Sequence, residues 1–296
     1  GTITITGTGD MYNYSNTIEG NDTPWAEYVD DITTVVIEEG ATSVGYCAFN
    51  SCRNLNNVSL PETLTKIAAH GFSFCPALEQ IQLPAGLLEI GSYAFAYSGL
   101  KSVHLGAAVE AIGVQNPFAA CAAMQQITVA EENANYCAVD NVLFTEDMKT
   151  LLCYPGGLTQ ESYTIPNGVT AVGYYGFNEN KHIKTVTMPD TVESLRYGAF
   201  MGCRELNQIN LSSGLKTIEA LAVNHTNIES ITIPASVKSI GQLSFVCYAL
   251  ETIVFEGDVP QIHSDAFGNE LARLAEQDDK ICAITAAMSC GTGLEA

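Results

Sequence analysis

Residues 55–75 read LNNVSLPETLTKIAAHGFSFC, and residues 78–98 read LEQIQLPAGLLEIGSYAFAYS. The two stretches share the pattern LxxIxLPxxLxxIGxxAFxxC, in which the apolar residues keep the same spacing. Nine copies line up between Ile32 and about residue 270, most of them 22 to 24 residues apart. Self-similarity at a fixed short period is typical of a repeat architecture.

A single copy is too small to fold alone. Burying its five or six apolar side chains yields roughly 1.5 to 3 kcal/mol each, whereas ordering the backbone costs about 1 to 2 kcal/mol per residue. Stacked copies bury both sides of each apolar layer, so we expect a solenoid whose rungs contact only their neighbours. Eight of the eleven phenylalanines share the register of Phe49, which predicts a stacked core rather than a scattered binding surface.

The segment before each proline predicts a short strand. Val58-Ser-Leu60 precedes Pro61, and Ile81-Gln-Leu83 precedes Pro84, with alternate residues apolar. Proline lacks the N–H donor and therefore ends such a strand. We expect one parallel sheet of about ten rungs, with irregular or 3-10 segments on the other side of the solenoid.

The chain is strongly acidic. It carries 33 Asp and Glu residues against 12 Lys and Arg residues, a net charge of -21. Binding to nucleic acid or to an anionic membrane relies on Lys and Arg side chains that neutralise phosphate, so we expect neither partner. No run of 18 apolar residues occurs in the sequence, and we therefore expect no insertion into a membrane.

Ten cysteines raise the question of disulfides or a metal site. Four of them, Cys52, Cys75, Cys121 and Cys203, follow the phenylalanine register by three residues. Because other copies place serine, asparagine or threonine there, we favour a small buried side chain, although Cys52 and Cys75 lie on adjacent rungs. The disulfide state of the remaining candidates stays open, and these are Cys137 with Cys153 and Cys282 with Cys290.

Neither a metal site nor an active site is predicted. No CxxC motif occurs, and the five histidines fall in unrelated registers, so we expect no metal and no cofactor. Catalytic groups need a pocket, and a stacked solenoid offers little concavity. We therefore expect that the chain is not an enzyme.

The repeat resembles the BspA-type leucine-rich repeat of bacterial surface proteins, whose unit has the same LPxxLxxIGxxAFxxC form. Residues 1–12, GTITITGTGDMY, and residues 32–37, ITTVVI, are similar to that family's lead-in. The resemblance implies a right-handed, β-rich leucine-rich-repeat solenoid in a secreted or cell-surface protein of host-associated bacteria. It further implies adhesion to host matrix proteins, epithelial cells or other bacteria, and it carries over no catalytic residues.

The repeat divides the chain into three parts. We expect an N-terminal cap at residues 1–31, repeats at 32–270 and a C-terminal cap at 271–296, although this last part lacks the aromatic-rich ending that the resemblance implies. An irregular insert interrupts the repeats at 130–160, where residues 141–144 and 151–154 flank a polar stretch and predict a hairpin. The insert is either a simple loop variation or a place that holds a ligand.

The outward residues of the predicted strands form the first candidate binding surface, called the strand face below. None of its positions carries a charge. Two interpretations stay open: β-propensity combined with tight stacking, or a hydrogen-bonding platform for a protein or a glycan. The absence of an aromatic side chain favours a protein. The residues of the strand face are Asn57, Ser59, Gln80, Gln82, Ser102, His104, Gln126, Thr128, Ser162, Thr164, Thr185, Thr187, Gln208 and Asn210.

A group of tyrosines forms the second candidate surface. Tyr174, Tyr175 and Tyr197 come just before the phenylalanine register on neighbouring rungs, and Tyr46 and Tyr93 hold the same region of earlier rungs. Exposed tyrosine clusters favour protein interfaces, and ordinary surface packing is the alternative.

Together these features predict a non-enzymatic extracellular protein-binding module. We expect an adhesin-like part of a bacterial surface protein that binds host matrix or cell-surface proteins, with a glycan as the second choice of ligand. The alternative function is a structural spacer that presents another domain and has no ligand of its own.

Overall fold

A computed structural model describes residues 1–17, 20–247 and 249–267. The predicted C-terminal cap at 271–296, with Cys282 and Cys290, lies outside the described residues. The chain divides into two compact units, of which the first comprises Gly1–Met148 and Leu152–Leu158, and the second comprises Lys149–Leu151 and Thr159–Ala296.

The regular elements of the first unit are short strands and one 3-10 helix, joined by turns. Its 3-10 helix, η1, spans Ala26–Tyr28. The strands are β1 (Thr2–Ile5), β2 (Gly9–Asp10), β3 (Asn16–Thr17), β4 (Gly20–Asn21), β5 (Thr34–Ile37), β6 (Ala41–Val44), β7 (Asn57–Ser59), β8 (Lys66–Ile67), β9 (Glu89–Ile90), β10 (Ser102–Leu105), β11 (Ala111–Ile112), β12 (Gln126–Val129), β13 (Tyr136–Val139) and β14 (Val142–Thr145).

The second unit repeats the same alternation of strands. Strand β15 spans the boundary between the two ranges at Thr150–Cys153. The strands that follow are β16 (Ser162–Thr164), β17 (Ala171–Val172), β18 (Thr185–Thr187), β19 (Ser194–Leu195), β20 (Gln208–Asn210), β21 (Thr217–Ile218), β22 (Ser230–Ile233), β23 (Ser239–Ile240), β24 (Thr252–Phe255) and β25 (Gln261–Ile262).

The predicted solenoid of stacked repeats is confirmed. The strands in the register of β7, which precedes Pro61, pair in parallel and form what we call the front ladder. It comprises β1-β5-β7 and β10-β12 in the first unit and β16-β18-β20 and β22-β24 in the second. The stacked parallel strands follow the prediction, and the front ladder is divided into the segments given above. In the first unit the break falls on residues 79–83, which form no strand.

A second ladder runs along each unit where the sequence predicts only irregular segments. It joins β2, β6, β8, β9 and β11 in the first unit, and the strands from β15 to β25 with odd numbers in the second. Most of its strands have two residues, of which the second, such as Ile90 or Ile240, is buried. Two residues are too few to show an alternating pattern, which is why the sequence does not reveal this ladder.

Close approach between rungs limits the side chain that follows a second-ladder strand. A Cβ atom on Gly91 would lie 2.4 Å from the backbone nitrogen of Ala69, and one on Gly241 would lie 2.4 Å from that of Ala220. Real Cβ atoms do not approach backbone so closely, so only glycine allows this spacing at these two positions.

The phenylalanines form a stacked core, as predicted. Phe49, Phe72 and Phe95 are fully buried, and the ring centroids of neighbours lie 5.3 and 5.7 Å apart. Trp25 stacks on Phe49 at 5.3 Å and donates from Nε1 to the carbonyl of Ala48. In the second unit Phe177 with Phe200, and Phe245 with Phe267, are stacked in the same way.

Two residues in most repeats adopt a left-handed backbone around the phenylalanine register. They lie two positions before and two positions after the phenylalanine, as Tyr93 and Tyr97 do around Phe95, with φ of 56° and 57°. This conformation costs roughly 1 to 2 kcal/mol for a residue with a Cβ atom. Gly198 and Gly202 hold the equivalent positions around Phe200, which shows that a side chain is not required there for the turn.

The cysteines in the phenylalanine register are buried thiols, as the register predicts. Three residues after the phenylalanine of its own repeat, the Sγ atom of Cys121 donates to the carbonyl of Phe95 on the preceding rung at 3.1 Å, and Cys203 donates to Phe177 in the same way at 3.0 Å. Burial raises the pKa of the Cys121 thiol to about 11 and that of Cys52 to about 12. These thiols therefore stay protonated and act as small hydrogen-bond donors between rungs.

The insert contains the two predicted strands as β14 and β15. A further strand, β13, precedes them and pairs antiparallel with β14. The connection is the dipeptide Asp140-Asn141, both residues of which have positive φ, as a two-residue hairpin turn requires. Cys137, on β13, and Cys153 are both thiols, and the Sγ atom of Cys137 lies 3.5 Å from the Sδ atom of Met148.

Candidate binding surfaces

Most strand-face residues lie on the front ladder, on β7, β10 and β12 in the first unit and on β16, β18 and β20 in the second. Gln80 and Gln82 lie at the break, in no strand. Most side chains of the strand face are exposed, and Thr128, Thr185 and Thr187 are half-buried. Thr34 and Val36 of β5, and then Thr2 and Thr4 of β1, extend the face by two rungs beyond β7, because β5 pairs with β7 and β1 with β5. Ladder partners within the face are Ser102 with Gln126, His104 with Thr128, Ser162 with Thr185, Thr164 with Thr187, Thr185 with Gln208 and Thr187 with Asn210.

Some side chains of the strand face bind one another. Nδ1 of His104 lies 2.9 Å from the hydroxyl of Thr128, and the amide of Asn210 donates to the hydroxyl of Thr187 at 3.1 Å. Gln208 in turn donates to the side-chain oxygen of Asn210 at 3.2 Å. At these positions the face is a ladder of stacked polar groups, which is what close packing of rungs favours.

The strand face lacks internal hydrogen bonds at the break in the front ladder. Gln80 and Gln82 are exposed and form no hydrogen bond with any described residue. Val58 and Ile81, whose equivalents Val103 and Ile127 are buried, are half-buried here. Backbone and side-chain donors and acceptors therefore remain available to a ligand at this rung.

Charged residues border the strand face without entering it. Lys101 pairs with Glu79 at 2.5 Å, and Lys184 pairs with Glu161 at 2.7 Å, each across one rung. The hydrogen bond that Lys184 donates to the Glu161 carboxylate raises the pKa of Lys184. Both pairs are exposed and contribute little to stability. They place charged groups beside the strand face, whose own residues are uncharged.

The structure places the predicted tyrosines in separate groups. In the first unit, His70 lies between Tyr46 and Tyr93, with ring centroids at 5.8 and 5.2 Å. In the second unit, Tyr175 and Tyr197 meet edge to face at 5.5 Å. Tyr174 is half-buried and has no ring contact with any described residue.

An exposed aromatic pair escaped the sequence reasoning. Phe74 and Tyr97 stack at 4.7 Å with an angle of 6° between the rings, and they are 44% and 42% exposed. Each lies two residues after the phenylalanine register, in the left-handed backbone conformation. The two residues hold the same position of adjacent repeats, so aligning the repeats is enough to reveal the pair.

A cavity of about 490 Å³ opens on the second ladder of the second unit. Tyr197, Glu219, Gly241, Gln261 and His263 line it, together with Thr217, Ser239 and the ladder isoleucines. The Glu219 carboxylate accepts hydrogen bonds from Arg196 at 2.9 Å and from the backbone N–H of Tyr197 at 3.0 Å. Of these residues the sequence analysis singles out Tyr197 alone.

Known proteins share this repeat. Residues 27–145 and 153–274 match the family described as BspA type leucine-rich repeat region, in six copies. The chain belongs to this family. Its front ladder, second ladder and phenylalanine column are therefore the structural form of a BspA-type repeat. Leucine-rich-repeat proteins generally mediate protein interactions, and membership of this family is consistent with such a module.

Solved structures of bacterial proteins have the same fold. A leucine-rich repeat protein from Eubacterium ventriosum is 25% identical, with a TM-score of 0.63 over 90% of each chain. A leucine-rich cell surface protein from Faecalibacterium prausnitzii is also 25% identical, with a TM-score of 0.57 over 87% of this chain and 90% of that one. The pneumococcal vaccine antigen PcpA is 23% identical, with a TM-score of 0.64 over 80% of this chain and 72% of that one, and shows the fold alone.

One short stretch is similar to an enzyme. It is 51% identical over 47 residues to 1-deoxy-D-xylulose-5-phosphate synthase from Caldanaerobacter subterraneus. The match covers 16% of this chain and 8% of that enzyme, so it says nothing about the BspA-type repeats as a whole. Within residues 1–17, 20–247 and 249–267, no group of three or more His, Cys, Asp or Glu residues is arranged to hold a metal ion. The same residues contain no helix with the length and apolar character needed to cross a bilayer.

Proposed function

We propose that this chain is a non-enzymatic protein-binding module exposed at the bacterial cell surface, and that its strand face contacts the partner. The observation that carries the proposal is the break in the front ladder, where Gln80 and Gln82 are exposed and have no hydrogen-bond partner among the described residues. A surface that has not satisfied its own donors and acceptors offers them to a ligand.

The chemistry of the strand face supports a protein as the partner. Its amide and hydroxyl groups match the polar surface of an extended protein segment, and the face has no aromatic side chain for a sugar to stack on. Its neutral strip is framed by the pairs Glu79–Lys101 and Glu161–Lys184, and such framing restricts the register of a partner. We propose that the partner is a host matrix or cell-surface protein, and that the chain acts as an adhesin-like part of its surface protein.

Family membership supports the location and the absence of catalysis. The F. prausnitzii neighbour is a cell surface protein by its own name, and we propose the same extracellular location for this chain. We also propose that residues 1–31 and 271–296 act as caps of the repeats at 32–270. A structural spacer remains the second candidate, because the bonds among Thr187, Gln208 and Asn210 satisfy the strand face internally in the second unit.

Binding to an array of purified matrix proteins tests this proposal. Fibronectin, laminin and collagens are immobilised, and saturable binding to at least one of them is expected. Replacing Gln80 and Gln82 together by lysine is expected to weaken that binding about tenfold or more, since buried uncompensated charge at an interface costs several kcal/mol. The matched control is Gln242→Lys. Gln242 is exposed and lies in the turn that carries the phenylalanine register, away from the strand face, so this variant is expected to bind as the wild type does. Equal loss in both variants, or no saturable partner at all, would favour the spacer.

A further inference from the structure

The cavity on the second ladder is lined in part by one register of the repeat. Arg196, Glu219, Gly241 and His263 follow successive ladder strands and occupy one register. Gly241 has no side chain, and a Cβ atom there would clash with the backbone of Ala220. The Ala220 backbone therefore fills the place that a Cβ atom on Gly241 would take. The gap in this register is the space between the Glu219 and His263 side chains, which line the cavity on either side of Gly241.

The dimensions of this gap suit a small ring. Neighbouring strands of a ladder lie about 4.8 Å apart, which places the registers of Glu219 and His263 roughly 10 Å from each other. The cavity volume of about 490 Å³ lies within the range of roughly 300 to 1,000 Å³ that is typical of small-molecule sites.

Three polar side chains along the floor are free to bind a ligand. Thr217, Ser239 and Gln261 are ladder partners on adjacent rungs. They face away from the core, since Ile218 and Ile240, which alternate with them, are buried. None of the three side chains forms a hydrogen bond with a described residue.

The charges around the cavity are already compensated, which argues for a neutral ligand. Glu219 is held by Arg196 and by the backbone of Tyr197. The Nδ1 atom of His263 accepts the backbone N–H of Asp265 at 3.2 Å, and the Asp265 carboxylate lies 4.0 Å from the same atom. A charged ligand would have to displace one of these partners, whereas hydroxyl groups can add to them.

We propose that this cavity binds one neutral pyranose ring, as a monosaccharide or the end of a glycan. The planar acceptors and donors of Glu219, Gln261 and His263 match pairs of neighbouring hydroxyl groups, which both donate and accept. Tyr197 supplies the aromatic wall that the strand face lacks, and Tyr175 supports its ring from behind at 5.5 Å. The site is separate from the strand face and adds a sugar specificity to it.

Saturation-transfer NMR with free sugars tests this inference. The probes are glucose, galactose, mannose, N-acetylglucosamine and N-acetylgalactosamine, with glucuronate and N-acetylneuraminate as charged counterparts. At least one neutral sugar is expected to bind saturably. Gln261→Ala is expected to weaken that binding roughly 3- to 10-fold, the effect of losing one or two neutral hydrogen bonds. Gln160→Ala, at an exposed glutamine outside the strand face and the cavity, is expected to leave it unchanged.

A second variant guards against misfolding. Ser239→Phe fills the cavity without removing a charged group, and it is expected to abolish sugar binding while the circular dichroism spectrum stays that of the wild type. If Ser239→Phe unfolds, Gln261→Ala decides alone, because its side chain is exposed. The inference is overturned if no neutral sugar binds, if only the charged sugars bind, or if binding survives undiminished in Gln261→Ala.

Discussion

The turn side of each repeat, which carries the phenylalanine register, is packed against its neighbours, whereas the strand face is open to solvent. On the turn side, Phe95 lies fully buried between Phe72 and Phe118, at 5.7 and 5.9 Å. On the strand face, Gln80 and Gln82 are exposed and unpaired among the described residues. The same unit of about 23 residues therefore devotes one edge to packing and leaves the other open.

This contrast teaches where stability and recognition reside. Turn-side residues contact the equivalent residues on both neighbouring rungs, so a change in one of them is felt on three rungs. Most strand-face side chains are exposed to solvent, so a change in one of them disturbs little packing. Mutations should therefore affect stability and binding separately. Three changes test whether stability resides in the turn side, from the largest expected effect to the smallest.

Removing one ring from the phenylalanine column should cost most. Phe95→Ala leaves a cavity between Phe72 and Phe118 and is expected to lower the free energy of unfolding by about 3 to 5 kcal/mol. Urea unfolding followed by far-UV circular dichroism measures this loss. Gln82→Ala, on the strand face of the same unit, is the control and should stay within about 0.5 kcal/mol of the wild type. Comparable losses in the two variants would break the contrast.

Adding one carbon to the glycine that follows a second-ladder strand should cost less. In Gly91→Ala the new Cβ atom would lie 2.4 Å from the backbone of Ala69, and overpacking of this kind costs about 1 to 3 kcal/mol. Gly106→Ala is the matched control, because its Cβ atom would meet nothing closer than 3.8 Å. A thermal melt of both proteins decides the point, and equal melting temperatures would show that the rungs can separate to admit a methyl group.

High pH should weaken the turn side through its thiols. The Cys121 thiol has a folded pKa of about 11, raised by burial, whereas the unfolded chain releases that proton near pH 8.5. Between these values the unfolded state binds fewer protons, so stability falls as pH rises. From pH 8 to pH 10 the wild type should lose roughly 1 to 2 kcal/mol more than Cys121→Ala does. Urea unfolding at both pH values measures the difference, and identical pH slopes would contradict a buried protonated thiol.

The sequence predicts what repeats often enough to be aligned. The phenylalanine column, the buried cysteines and the outward polar residues all recur at one spacing, and the structure confirms the stacked core. The second ladder was missed because its strands have two residues each and carry no alternation. The extra hairpin was missed because Asp140-Asn141 was not considered as a turn.

The sequence predicts only part of the candidate sites. Outward residues such as Gln80 follow from strand alternation, but the break in the front ladder depends on backbone pairing that the pattern does not encode. The cavity was in principle readable, because Glu219, Gly241 and His263 share one register in the alignment. The residue type of this column changes from rung to rung, as Arg196, Glu219, Gly241 and His263 show, so the repeat pattern does not mark it as a site.

The position of Trp25 gives the molecule an optical reporter. It is the single tryptophan of the chain, and it stacks on the outer face of Phe49 at one end of the phenylalanine column. Its fluorescence therefore senses the opening of the first rungs, whereas circular dichroism averages over every ladder. In a chain whose rungs contact only their neighbours, the gap between those two signals measures how far unfolding from that end proceeds before the rest follows.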